Sequence, residues 1–371
     1  MSSSPIPPNI KALAVSFCLL FFGFFAGQNY VTSVLGSVGD ASLGMIYASL
    51  CLCAVFTPWV FSRLRRLYDD DGNSNLFGHE SRLAPERIGL AIGAGLYAPF
   101  FLACATPSVV LQLCGSALLG VGASLLWVAQ GSVMTAVSQE ADRERDTGVF
   151  WAGYMGGNAC GNLVAFFIAS RWDTSVLFVV LAGFCCLGAA AAWVLISPKV
   201  EQRLLAPVPS AEDNDGNNLE AVRGTGGLAA DQDEEVTVRM CLQRLYSAVT
   251  APAVLVLLPS LVFIGLENAF WAGEFTQLVP KESQIGLVLS SLGLAEMVAG
   301  LASGLLESCL GGRGLFAIGM VVFSAGLGLA VVLREGTAET PQLAGVPAVA
   351  FAAAACFGVG DCFVTVVTLA R

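Results

Sequence analysis

Ten separate stretches of this chain are apolar for roughly 20 residues each, the length a helix needs to cross the hydrocarbon of a bilayer. They run over residues 12–36, 43–61, 88–105, 109–137, 147–169, 175–196, 251–271, 285–306, 315–333 and 346–369. A globule in water cannot hide ten such segments behind the polar residues available here. Only 12% of residues are charged and 56% are hydrophobic, whereas a soluble domain carries about a quarter charged residues. Lipid removes the need for that cover. Inside lipid each segment must satisfy its own backbone hydrogen bonds, which a helix does. The expectation is an all-α protein that spans a membrane many times.

Basic residues set the orientation, because cytosolic loops are enriched in them. With the N-terminus in the cytosol and the spans alternating, fifteen of the 18 Lys and Arg fall on the cytosolic side. Only Arg171, Lys281 and Arg334 fall opposite. The first stretch, with Lys11 ahead of an apolar core at 12–26, also has the outline of a signal peptide. The internal repeat described below assigns it to the bundle instead. Between Glu201 and Glu235 lie nine carboxylates and no aromatic residue, which reads as a solvated, disordered loop. After it, Val238, Leu242, Leu245, Tyr246 and Val249 share one face at helical spacing, the pattern of a short interfacial helix.

The chain repeats itself. A shift of 242 residues lays the first two spans on the seventh and eighth. Gly23 then meets Gly265, Leu43-Gly44 meets Ile285-Gly286, Ser49 meets Ser291, and Thr32 comes close to Thr276. A shift of 238 brings Leu119-Gly120-Val121-Gly122 onto Phe357-Gly358-Val359-Gly360. Six spans separate the copies, so both begin on the same side. Parallel six-helix repeats are the plan of the major facilitator superfamily. The expected fold is therefore an all-α membrane protein of major facilitator type, with the second repeat truncated. Residues 1–196 form a six-helix bundle, 197–250 the acidic cytosolic loop and interfacial helix, and 251–371 four of six helices. Spans five and six have no counterpart before Arg371. A full second half would take roughly 50–60 more residues, so a fragment or a truncated gene model is expected.

Acids at bilayer depth are costly and face the bundle interior. Glu267, Glu274, Glu296 and Asp361 are the candidates, joined by Gln28, Asn29, Gln130, Asn158, Asn162 and Asn268. Two readings are open for Glu267 and Asp361: a polar cavity between the halves that binds a cation or small solute, or a structural tie between helices. For Glu274 and Gln130, near the interfaces, the structural reading is preferred, and Glu296 is undecided. Gly153, Gly157 and Gly161 recur every four residues and make a smooth stripe for close helix packing. Asn158 and Asn162 beside them read as amide cross-links.

Other chemistries find little support. The net charge of −10 argues against nucleic acid as a partner. The 12 cysteines lie mostly in apolar runs and the single histidine is His79, so neither a zinc site nor a disulfide framework is expected. No Walker loop, GxSxG elbow or histidine constellation is present. No cofactor and no enzymatic activity are expected.

Four segments carry a family likeness: Leu43–Tyr47, the run from Gly120 through Trp127 and Gln130 to Gly131, Gly265-Leu266-Glu267-Asn268-Ala269-Phe270 with Gly273–Thr276, and Gly358-Val359-Gly360-Asp361. In them the chain resembles the uncoordinated-93-like family, the ion channel regulatory proteins of the major facilitator superfamily. The resemblance implies site residues at Trp127, Gln130, Glu267 and Asp361, with Gln28, Asn29 and Asn268 as further cavity candidates from their depth. It implies a multi-span protein whose partners are the lipid bilayer and an ion-channel subunit or another membrane protein. Three functions follow as expectations: regulation of potassium channels or potassium homeostasis, gradient-driven transport, and trafficking of other membrane proteins. The usual facilitator loop after span two, of the Gly-x-x-x-Asp-Arg-x-Gly-Arg type, is replaced by Arg63-Leu64-Arg65-Arg66-Leu67-Tyr68.

The charge bias generates a topology prediction. Tags placed singly at the N-terminus, within 201–235 and beside Arg334 should fall into two classes when protease is added to sealed vesicles of the membrane that holds the protein. The first two should respond alike and the third in the opposite way.

Overall fold

Every one of the ten stretches forms a helix, and most extend a few residues beyond the apolar run. The computed structural model describes residues 5–70, 83–139, 142–198, 237–336 and 341–369. The acidic stretch 201–235, His79, and the basic residues Arg82, Lys199, Arg203, Arg223 and Arg371 lie outside the described residues. The first six helices are α1 (Pro8–Leu35), α2 (Ser37–Asp70), α3 (Ala84–Cys104), α4 (Val109–Val137), α5 (Arg143–Ala169) and α6 (Thr174–Leu195). The last four are α7 (Val254–Gln277), α8 (Glu282–Ser303), α9 (Cys309–Glu335) and α10 (Ala348–Thr368).

Local signals explain several boundaries. Proline opens α1, where its missing N–H costs nothing. Ser108 caps α4 by accepting from the Leu111 N–H at 3.4 Å. Gly311, at φ 69° and ψ 160°, breaks the run between α8 and α9, a conformation that suits a residue without Cβ. Ahead of α10 a small hairpin pairs Gln342 with Pro347 and Leu343 with Val346. Its two turn residues, Ala344 and Gly345, both have positive φ. The sequence reading contains no strand.

Among the described residues, nine helices are long and apolar enough to cross a membrane by composition. The expected span 147–169 is a 27-residue helix but falls outside that set. Packing supplies the reason. On one side α5 lies against α1: a Cβ on Gly153 or Gly157 would come 2.9 Å from Ala14 O or 2.6 Å from Cys18 O, and Gly161 abuts Phe22. On the other side Gly286 and Gly293 of α8 press on Asn162 and Ala159. Two of the faces of α5 are therefore protein interfaces, where glycine and amides serve better than leucine.

The repeat is visible in three dimensions. Gly120 of α4 packs on Ile46 and Leu50 of α2, and Gly358 of α10 packs on Leu292 of α8. Leu292 is the residue that the 242-residue shift assigns to Leu50. Near the join, the hydroxyls of Thr32 and Thr276 approach to 3.5 Å, so near-equivalent residues of the two copies meet. Inside the first half, aromatic side chains hold α1, α3, α4 and α5 together, with Phe21 and Tyr154 at 4.6 Å and Phe17 and Phe150 at 4.9 Å. The segment after the acidic stretch is a helix, Val238–Thr250, capped by Thr237. Its Leu242, Leu245, Tyr246 and Val249 are exposed.

The α1–α5 contact can be tested by adding one side chain. Gly157→Val should lower the thermal unfolding midpoint in detergent, since overpacking costs about 1–3 kcal/mol. Gly156→Val should not, because nothing lies within 4 Å of a Cβ at position 156.

Candidate functional site: an acidic cavity between the halves

Three acids gather where the two halves meet. Glu267 on α7, Glu296 on α8 and Asp361 on α10 are 2%, 2% and 6% exposed. Among the described residues none of them is paired with Lys or Arg. Asp361 is the middle member, the acid that acts most strongly on both Glu267 and Glu296. The Thr365 hydroxyl, one turn along α10, donates to Asp361 Oδ1 at 2.9 Å. Neither oxygen of Glu267 meets a donor among the described residues.

A line of amides runs from the first half to the acids. Asn29 Nδ2 donates to Asn162 Oδ1 at 2.9 Å. Asn162 Nδ2 donates in turn to Asn158 Oδ1 at 2.7 Å and to the Asn158 carbonyl at 3.0 Å. Asn158 Nδ2 then donates to Glu296 Oε2 at 3.0 Å. Every donor in the line points toward the acid, so the dipoles reinforce one another. The link from Asn158 to Glu296 crosses between the halves. It forms because Gly286 and Gly293 let α8 approach α5 closely.

A cavity of about 240 Å³ opens on this cluster. Its first-half wall is aromatic: Phe25 from α1, Trp127 from α4, and Trp151 and Tyr154 from α5. Its second-half wall mixes Glu296, Asp361, Thr365 and Asn268 with the apolar Leu261 and Ile264. Trp271 also lines the cavity, 1% exposed, and its Nε1–H has no acceptor among the described residues. The helix becomes π-helical over Phe270–Glu274, beside Glu267 and Trp271. Such turns recur at functional sites because the extra residue per turn re-aims side chains. Among the described residues, no group of three His, Cys, Asp or Glu side chains is placed to hold a metal ion.

The sequence candidates separate into groups. Trp127, Asn268 and Asp361 line the cavity, and Glu267 stands against Asp361. Asn29 begins the amide line and does not line the cavity. Gln28 is buried away from it, donating to the Tyr47 hydroxyl at 3.2 Å. Gln130 is half-buried and outside the lining, and Glu274 is exposed. Gly153, Gly157 and Gly161 face α1. Sequence reasoning left Glu296 undecided, yet it is the acid that joins the amide line to Asp361. A lone carboxylate in the middle of the stretch 285–306 was the available signal. Trp151, Tyr154 and Trp271 were not singled out, because one aromatic among many in an apolar helix carries no mark of its own.

A repeated helical bundle with a polar cavity between its halves defines a multi-pass membrane protein of the major facilitator fold. The chain belongs to the family described as Ion channel regulatory protein UNC-93, which it matches over residues 81–370. It is similar to UNC93-like protein 3 of Arabidopsis thaliana, with 24% identity over 95% of this chain and 71% of that protein. The UNC93-like protein MFSD11 of Xenopus tropicalis is 24% identical over 80% of this chain and 65% of its own length. The putative potassium channel regulatory protein unc-93 of Caenorhabditis elegans is 22% identical over 85% of this chain and 46% of its own length. The chain thus spans about half to about 70% of these relatives. Among solved structures it resembles the nucleoside transporter NupG, with TM-score 0.60 and 12% identity over 97% of this chain and 80% of that one. It also resembles the xylose transporter XylE from E. coli, with TM-score 0.57 and 14% identity over 98% and 84%. At such identities the likeness speaks to fold alone.

The bridge between the halves yields a coupling prediction. Asn158→Ala should destabilise the protein by about 1–3 kcal/mol, by leaving Glu296 without its amide donor. The same change made in a Glu296→Gln background should cost measurably less. Unfolding of the four proteins in detergent gives the coupling energy, expected at about 0.5–3 kcal/mol for groups in one network.

Proposed function

We propose that this protein serves ion homeostasis by taking a positively charged solute into the cavity between its halves and carrying it across the membrane down a gradient. The observation that carries this reading is the set of three buried acids without a basic partner among the described residues, at a cavity walled by both halves. Acids at that depth mark ion and substrate pathways. In facilitator-type carriers the two six-helix units rock about such a site. Here the contact between Asn158 and Glu296 is among those that rocking would break and remake. In this reading the N-terminus is cytosolic, residues 1–196 and 251–371 are the moving units, and the helix Val238–Thr250 lies on the cytosolic surface of the membrane.

A second reading is regulation of a potassium channel through direct association. It is favoured by the description of the C. elegans relative as a putative potassium channel regulatory protein. The two readings differ in what the purified protein does alone.

The full chain in liposomes should take up a labelled cation, rubidium or methylammonium, under a negative interior potential. Glu296→Gln should reduce uptake about tenfold, the factor equivalent to losing one charged hydrogen bond. Thr135→Ala, on the exposed side of α4, should leave it unchanged. If liposomes show no uptake of either cation, while adding the protein to a channel subunit changes its potassium current, the regulatory reading replaces the carrier.

A further inference from the structure

We infer that the cavity is built for a small organic cation, an alkylammonium solute carrying an oxygen acceptor, rather than for a bare alkali ion. This rests on reading the cavity as a cation site and names the kind of cation. An alkali ion is held by a shell of oxygens that replaces its water. The first-half wall offers aromatic rings instead. Tyr154 is the hub of that wall. Its ring stands 5.6 Å from Trp127, 4.9 Å from Trp151 and 5.1 Å from Phe25, each at a steep angle. Rings set edge to face in this way make a concave box, and their π faces attract an alkylated ammonium, most strongly where water is excluded. Facing the box across the cavity are Glu296 and Asp361, which supply the countercharge.

A buried donor in the cavity wall with an unmet hydrogen bond points independently to a ligand. Trp271 lines the cavity, and its buried indole N–H has no acceptor among the described residues. An unmet buried donor costs free energy unless a ligand satisfies it. It therefore calls for a hydroxyl, ether or carbonyl oxygen on the solute. A void of about 240 Å³ suits a solute of a few heavy atoms and excludes a large one.

Choline is a suitable probe, since it joins a quaternary ammonium to a hydroxyl. Its neutral twin, 3,3-dimethylbutan-1-ol, has the same shape with carbon in place of nitrogen. Calorimetric titration of the full chain in detergent should show saturable choline binding, competed by tetramethylammonium. The neutral alcohol should bind about tenfold more weakly or less, and so should choline to Trp127→Ala. Trp127→Phe, which keeps a ring face, should stay within about threefold of the parent and guards against misfolding as the cause. Equal binding of the alcohol and choline would overturn the inference in favour of a merely apolar pocket. Rubidium binding without choline binding would also overturn it, yet leave the cation cavity standing. Binding of neither cation would remove both.

Discussion

At bilayer depth Glu296 is almost wholly buried, so the protein must supply much of what water would. It does so with the amide of Asn158, which reaches it from the other half. That requirement fixes much of the surrounding structure. Asn158 must face α8, so α5 must lie between α1 and α8. Gly286 and Gly293 must stay small for the helices to come within hydrogen-bonding range, and the glycines on the opposite face let α5 seat on α1. In lipid there is little hydrophobic force drawing helices together, so close packing and interhelical hydrogen bonds carry the association. The polar bridge is thus a condition for the cavity as well as a part of it.

The duplication gives the cavity its two unlike walls. Under the 242-residue shift Phe25 corresponds to Glu267, and under the 238-residue shift Trp127 corresponds to Thr365 and Ala123 to Asp361. Equivalent positions of the two copies therefore carry different chemistry, ring against carboxyl at Phe25 and Glu267, ring against hydroxyl at Trp127 and Thr365, and methyl against carboxyl at Ala123 and Asp361. The backbone pairing is kept, as Gly120 on α2 and Gly358 on α8 indicate. A symmetric pair of acidic walls would have crowded like charges into one void with no basic residue to offset them. Placing rings opposite the acids avoids that repulsion, and it leaves a site that is electrostatically one-sided.

The sequence by itself determined the membrane, the helix count and the repeat. These rest on properties that do not depend on packing: how many residues cross the hydrocarbon, how few charges there are, and whether a pattern recurs at a fixed offset. Even α5, too rich in Gly and Asn to rank with the nine strongly apolar helices, was legible as a stretch of spanning length, and the alternation of basic loops agreed with it. Asp361, Glu267 and Trp127 stood out for the same kind of reason, an acid at depth or a motif.

Which of these groups share a space was decided by tertiary structure alone. The periodicity of 285–306 does not say that Glu296 faces Asn158, 138 residues earlier, because the distance between two helices depends on the side chains of both. Nor could it separate Gln28 and Gln130 from the cavity, since a buried amide looks alike in sequence whether it meets a tyrosine, its own helix or a void. The aromatic box was invisible for a related reason. In a chain with 23 Phe and 6 Trp, a ring acquires a role only from the partners that surround it, and those partners come from three different helices.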